Sequence, residues 1–318
     1  MRYSILFMLL VIVGCVVHVD RAQTPDLAVR YFESGQKKFD EHDWVAAADY
    51  FTKAIQINAM NKGVKAKKKA GNAFDQSQET TEISVSDTFT AHAYVNRGAA
   101  HFYSGAFDQS IADYEHALRI DPRLAEAYLG HGAALNGKGD RVGAMRDYDR
   151  ALKLDGHLYE AYNNRGALRH DLGDLENALI DLNQAVLLNP KGVAAYFHRG
   201  YVFIAKKNFA EAIADFNRCL ELDPQNAWAQ QGRGTALLKQ GHLELALKDF
   251  DAAIELDPGI GEAYVNRGLI LILFGRETEA ARDLKKGMEL KPEVKTEIER
   301  RAELAKKLIR DRAAVAKQ

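Results

Sequence analysis

Residues 193–226 read VAAYFHRGYVFIAKKNFAEAIADFNRCLELDPQN, and residues 227–260 read AWAQQGRGTALLKQGHLELALKDFDAAIELDPGI. Each stretch is 34 residues long. Aligned without a gap, they share glycine at the eighth position (Gly200, Gly234), alanine at the twentieth (Ala212, Ala246), phenylalanine at the twenty-fourth (Phe216, Phe250) and proline at the thirty-second (Pro224, Pro258). The register continues outward from this pair, with glycine at Gly98, Gly132, Gly166 and Gly268 and proline at Pro190 and Pro292, while Pro122 stands two periods before Pro190. Five of the six prolines match that period with each other or with this pair, and self-similarity at a fixed interval of this length marks a chain built from stacked copies of one supersecondary unit.

Counted from Ala91, Ala125, Tyr159, Val193, Ala227 and Gly261, position 20 is small in every copy (Ser110, Ala144, Ala178, Ala212, Ala246, Ala280). Position 24 is bulky (Tyr114, Tyr148, Leu182, Phe216, Phe250, Leu284), and position 27 is small again (Ala117, Ala151, Ala185, Cys219, Ala253, Gly287). Small, large and small at i, i+4 and i+7 place one packed stripe on a helix, and the proline that follows ends it. Position 4 is aromatic in Tyr94, Tyr128, Tyr162, Tyr196 and Tyr264, with Gln230 the exception.

Aromatic, glycine, alanine, aromatic, alanine and proline at these spacings resemble the tetratricopeptide repeat, a pair of antiparallel helices. An earlier copy spans residues 28–61, with Tyr31, Gly35, Trp44, Ala47, Phe51 and Ala54 in register and Ala59 in place of the proline. The resemblance implies an all-α, right-handed α-solenoid of about seven helix–turn–helix units: one over 28–61, six over 91–294, and a capping helix over 295–318. Val294, Ile298, Ala302, Ala305 and Leu308 form the apolar stripe expected of that cap, which covers a face the last repeat otherwise exposes.

A pairing goes beyond the minimal pattern. Position 7 is Arg97, Arg165, Arg199, Arg233 and Arg267, with His131 in the remaining copy, and position 23 is Asp113, Asp147, Asp181, Asp215, Asp249 and Asp283. The first copy has Ser34 and Tyr50 and lacks both. Joint presence and joint absence predict a ladder of ion pairs, formed inside a repeat or across to its neighbour. Removing one arginine is expected to cost ~3 to 5 kcal/mol if the pair is buried and ~0 to 1 if it is exposed.

Two segments fall outside the period. Met1 to Ser4 carries Arg2 and precedes thirteen residues, Ile5 to Val17, with no charge. At ~1.5 Å per residue this run is too short for the ~30 Å hydrocarbon core but fits a secretory h-region, so residues 1–22 are read as a signal and tether. Ile12-Val13-Gly14-Cys15 resembles the lipobox of bacterial lipoproteins, which implies lipidation at Cys15; the alternative, cleavage near Ala22, leaves Asp20 where a small residue is wanted. Residues 62–90 interrupt the array with five lysines over Lys62–Lys69 and then a polar stretch, and are expected to form an insertion loop.

Composition bounds the function. A hydrophobic share of 47% with 27% charged residues excludes a wholly disordered chain and a multi-span membrane protein. Forty-three basic residues against 44 acidic ones leave no excess to attract nucleic acid. Gly130-His-Gly132 and Gly232-Arg-Gly234 lie inside first helices and are followed by no phosphate-binding lysine, and no His-Glu-x-x-His or Cys-x-x-Cys occurs, so no catalytic residue, cofactor or metal is expected. The resemblance implies a groove lined by first helices at positions 2, 5, 6, 9 and 12, giving Asn96, Phe102, Asn163, Asn164, Phe197, His198, Tyr201, Trp228, Gln231 and Asn266 as peptide-binding candidates. Rings there supply contact area, and amides pair with a peptide backbone. The family clamp for chaperone C-termini needs lysine at position 5 and asparagine at position 9; neither is present, and only Asn96, Asn164 and Asn266 match its position 6 element. The sequence therefore points to a non-catalytic adaptor for protein or peptide partners, periplasmic or membrane-anchored. A cytosolic co-chaperone-like adaptor and a recruiting subunit of an envelope enzyme complex are the alternatives, and the oligomeric state is open.

Overall fold

A computed structural model describes residues 26–70 and 84–315. Cys15 with the rest of the expected signal, and residues 71–83 of the expected insertion, lie outside the described residues. Fifteen helices and no strand occur among the described residues. They fall into two units, residues 1–172 and 173–318.

The first unit contains the hairpins α1 (Asp26–Asp40) with α2 (Trp44–Ala70), α3 (Val85–Tyr103) with α4 (Phe107–Ile120), and α5 (Ala125–Lys138) with α6 (Arg141–Leu154), followed by α7 (Tyr159–Asp171). The second contains α8 (Leu175–Leu188), then α9 (Val193–Ala205) with α10 (Phe209–Leu222), α11 (Ala227–Gln240) with α12 (Leu243–Leu256), α13 (Gly261–Leu273) with α14 (Glu277–Leu290), and finally α15 (Lys295–Val315). Within each unit successive helices pack on their neighbours, as in a solenoid.

The period fixes this packing atom by atom. The ring of Phe216 on α10 is seated between Gly200 of its own hairpin and Gly232 of the next. A Cβ at Gly200 would stand 2.8 Å from that ring, and one at Gly232 2.5 Å, so only glycine lets both first helices reach the aromatic. The tight turn between paired helices needs a left-handed residue at position 15. Glycine supplies it at Gly139 (φ 93°), whereas Lys207 (φ 64°) and His42 (φ 60°) adopt it with a side chain attached.

The expected insertion loop is helical at both ends. Helix α2 continues through Ala70 and α3 begins at Val85, so only the middle of residues 62–90 lies outside described helix. Lysine and alanine are good helix formers, and Gly63 alone does not stop the helix. Asn58 on α2 donates to the Ser86 carbonyl (2.9 Å) and the Thr90 hydroxyl (2.8 Å), Lys62 pairs with Asp87, and Ser84 caps α3 by accepting from the Asp87 amide (3.2 Å).

At the other end, α15 buries Ile298 and Ala302 against Val265, Leu271 and Ile272, as a cap should. Its seam continues through Ala305 and Ile309, not Leu308; Leu308 and Val294 are exposed. The helical period carries the buried stripe one residue past the expected position. No helix among the described residues is long and apolar enough to cross a membrane.

Candidate peptide-binding face

The first helices owe their orientation to the residues at positions 7 and 23. Arg199 grips Asp215 with two bonds, Nε to Oδ2 at 2.8 Å and Nη2 to Oδ1 at 2.7 Å, and Arg233 holds Asp249 at the same two distances. Arg267 and Asp283 pair at 2.6 and 2.8 Å, and Arg97 and Asp113 at 3.0 and 2.6 Å, each arginine lying 16 residues before its aspartate. His131 stands in for arginine, with Nδ1 2.5 Å from Asp147.

The same guanidiniums reach backward as well, a contact that the sequence reading missed. Nη1 of Arg199 donates to Asn183 (2.9 Å), that of Arg233 to Asn217 (2.8 Å), and that of Arg267 to Asp251 (2.7 Å), each 16 residues earlier. Arg165 reaches Asp149 in this way at 2.6 Å, and Asp181 is buried. The position 4 ring completes the site: the Arg199 guanidinium lies 5.5 Å from the Tyr196 centroid, and that of Arg267 5.6 Å from Tyr264. Arg199, Arg233 and Arg267 thus each tie their own hairpin to the preceding second helix.

The two partners shift differently. The hydrogen bond to Asp215 raises the Arg199 pKa, yet burial raises that of Asp215 despite the pull of Arg199. For the carboxylate, loss of water outweighs the cation.

The groove candidates sit deeper than an open surface would place them. In the first unit, Phe102 belongs to the core and meets Tyr103 and Phe107 edge-on, each at 5.5 Å. Asn96, Asn163 and Asn164 are buried. Asn163 Nδ2 donates to Asn164 Oδ1 at 3.2 Å, which leaves Asn163 Oδ1 and Asn164 Nδ2 buried without a partner, as is Asn96 Nδ2. Beside them on α7, Glu160 at position 2 is buried, and burial holds its carboxyl above the usual range. The sequence reading passed over it.

In the second unit, Phe197 is buried against Tyr201 (4.9 Å) and Phe216 (6.2 Å), while His198, Tyr201 and Trp228 are half-buried. A polar chain runs along α9, α11, α13 and α15. The Tyr201 hydroxyl donates to Gln231 Oε1 (2.6 Å), Gln231 Nε2 to the Thr235 hydroxyl (3.0 Å), Asn266 Nδ2 to the same hydroxyl (3.4 Å), and Arg301 Nη2 to Asn266 Oδ1 (2.9 Å). Burial pushes the Tyr201 phenol up and the Arg301 guanidinium down, so along this chain the hydroxyl stays neutral. Thr235 and Arg301 were missed; Arg301 occupies position 7 counted from Lys295, a register in which it would have been visible.

Position 5 side chains, and those of Asn96, Asn164 and Asn266 at position 6, are buried because adjacent first helices approach closely over them, as the wedged Phe216 shows. Among the described residues no group of histidine, cysteine and carboxylate side chains is arranged to hold a metal. Cys219 is buried, and its thiol is pushed up to about 12 by that burial, which leaves it inert at neutral pH.

Tetratricopeptide-repeat models match residues 91–124 and 193–226, residues 159–191, and residues 232–289, together half of the chain. The chain belongs to the tetratricopeptide-repeat family. Proteins of this family are typically protein-interaction scaffolds. No curated protein matches the sequence. Among solved structures, a tetratricopeptide repeat protein from Parabacteroides merdae is 19% identical with a TM-score of 0.58, covering 88% of this chain and 99% of its own. A chain of the APC/C hetero-tetramer Cut9–Hcn1 is 15% identical with a TM-score of 0.62, covering 86% of this chain and 52% of its own. The pilF protein of Pseudomonas aeruginosa is 21% identical with a TM-score of 0.58, covering 64% of this chain and 92% of its own. At these identities the likeness concerns the fold of the tetratricopeptide-repeat array.

Proposed function

We propose that this tetratricopeptide-repeat protein is a non-catalytic adaptor that holds a peptide main chain against its first helices, and that it works exported and lipid-anchored at the cell envelope. The observation that carries the peptide reading is the set of buried amides with an open donor or acceptor: Asn96 Nδ2, Asn163 Oδ1 and Asn164 Nδ2. A buried polar group without a partner costs roughly 1–3 kcal/mol. Asn163 and Asn164 together offer one acceptor and one donor, the complement of a single peptide unit, and rotation about the soft terminal torsion of each amide turns them toward a bound chain. Within the second unit, taken by itself, His198, Tyr201 and Trp228 offer half-buried rings, which supply apolar area at low entropic cost.

Capture from envelope extracts tests this with the Asn163→Ala, Asn164→Ala double variant. Removing two amides that each carry one unpaired buried atom is expected to leave the thermal midpoint unchanged or raise it, while retention of the captured partner falls by about tenfold or more, the worth of one or two hydrogen bonds. Equal retention by both proteins would refute the amide wall as the binding face. Export rests on the signal-like residues 1–22 and the lipobox-like Ile12 to Cys15. Mass spectrometry of the mature N-terminus tests it: a lipid-modified Cys15 is expected, and an intact Met1 favours the cytosolic adaptor instead.

A further inference from the structure

Helix α8 differs from every other second helix at the four positions that face outward, 22, 25, 26 and 29 of the repeat. In α8 these are Ile180, Asn183, Gln184 and Leu187, with no charge among them. Each of the other six second helices carries at least two charged residues there, and α6 carries four: Arg146, Asp149, Arg150 and Lys153. Ile180 is 64% exposed and Leu187 71%. Apolar side chains one heptad apart, on a face that charges occupy everywhere else in the array, form a seam for another helix.

We propose that α8 pairs antiparallel with α8 of a second copy of this chain. With the two-fold axis between Asn183 and Gln184, Ile180 meets Leu187 of the other copy in both directions, and Asn183 meets Gln184. The Asn183 Oδ1 already accepts from Arg199, which leaves its amide donor for the opposite Gln184 carbonyl. Beyond the apolar contacts, the antiparallel direction brings the first turn of α8, with Glu176, to the end of the other copy's helix, where Lys191 stands in the turn that follows it, and both are exposed. The Lys206 ion pair engages Glu176 Oε1 and leaves Oε2 for that contact. A parallel arrangement would oppose Glu176 to itself and Lys191 to itself, so charge selects the antiparallel one. The seam is thus complementary to itself, which is what a two-fold interface requires and what a surface shaped for an unrelated protein does not. A contact between two short helices is at the small end of specific interfaces, so the dimer is a weak one.

Sedimentation velocity of the purified chain over about 10 μM to 1 mM, a range suited to a small interface, is expected to show a monomer–dimer equilibrium. The Ile180→Asp, Leu187→Asp variant changes two exposed residues, so its circular dichroism and thermal midpoint stay those of the parent while association weakens by about tenfold or more. Glu176→Lys alone also weakens the dimer, and adding Lys191→Glu restores it, because the exchange recreates both opposed pairs. A chain that stays monomeric throughout overturns the proposal, including the case in which Ile180→Asp, Leu187→Asp abolishes binding of a different protein. A dimer that is indifferent to those substitutions, or that the charge exchange fails to rescue, assigns the contact to another face and overturns it as well.

Discussion

Arg199 and Arg301 occupy the same position of the repeat and live in opposite circumstances. Arg199 has Asp215 16 residues ahead and Asn183 16 residues behind, and bonds both. At the same offsets from Arg301 the sequence has Lys317, outside the described residues, and Lys285. Arg301 turns to the neutral Asn266, and its pKa falls because burial removes water without supplying a bonded carboxylate. The array therefore keeps its arginine where the pattern ends but not the acidic partners. The interior ladder is a device for seating one hairpin on the previous one, and among the described residues no helix follows α15.

The largest effect is expected where a carboxylate would be stranded. The Asp215 side chain is 7% exposed, so Arg199→Ala leaves a buried charge whose partner is gone, at a cost of about 3 kcal/mol. Urea unfolding, or hydrogen exchange in α9 and α10, measures it. Burial already raises the Asp215 pKa in the presence of Arg199, and without the cation it rises further. A carboxyl with a raised folded-state pKa binds its proton more readily folded than unfolded, so stability falls as pH rises through the window between the two values. The deficit of Arg199→Ala should therefore be greatest at neutral pH and shrink as the pH drops toward the ordinary range for aspartate. A loss independent of pH would show that Arg199 acts by packing alone.

An intermediate effect separates the worth of the pair from the cost of breaking it. Replacing both partners, Arg199→Met with Asp215→Leu, strands no charge and is expected to stay within about 1 kcal/mol of the parent. A double variant as damaged as Arg199→Ala would mean that the bridge itself, with its Asn183 and Tyr196 contacts, holds the hairpins together.

How much of this was legible follows from what a period can and cannot encode. Gly200, Phe216 and Pro224 recur at fixed intervals because one backbone geometry is repeated, so helix count, hairpin pairing and the forward Arg–Asp contact could be read directly. The backward contact to Asn183, Asn217 or Asp251 was hidden because the acceptor varies between amide and carboxylate, and only the common oxygen matters to the arginine. Burial of Asn163, Asn164 and Gln231 was hidden for a different reason: the depth of the first-helix face depends on how closely neighbouring hairpins approach, a tertiary distance that no single repeat states. The lysine run suggested a loop by its charge, although its residues are good helix formers and α2 follows that propensity to Ala70.

The smallest effect is expected at the end of the ladder, and it decides whether position 7 matters by itself or only through its acids. Arg301→Ala removes one hydrogen bond to an amide that keeps a second contact, since Asn266 Nδ2 still reaches Thr235. No carboxylate is stranded, the guanidinium regains water when the chain unfolds, and Ile298 and Ala302 continue to anchor α15 on α13. The balance is a cost of about 1 kcal/mol or less, within the usual range for a single hydrogen bond, and with none of the pH dependence of Arg199→Ala. Thermal unfolding of the two variants at neutral pH and at about pH 4, near the unperturbed aspartate value, makes the test direct. If Arg301→Ala matched Arg199→Ala in size, the partner aspartate would not be the source of the interior effect. The arginine side chain would then be seating each first helix through its packing contacts, whatever stands at position 23.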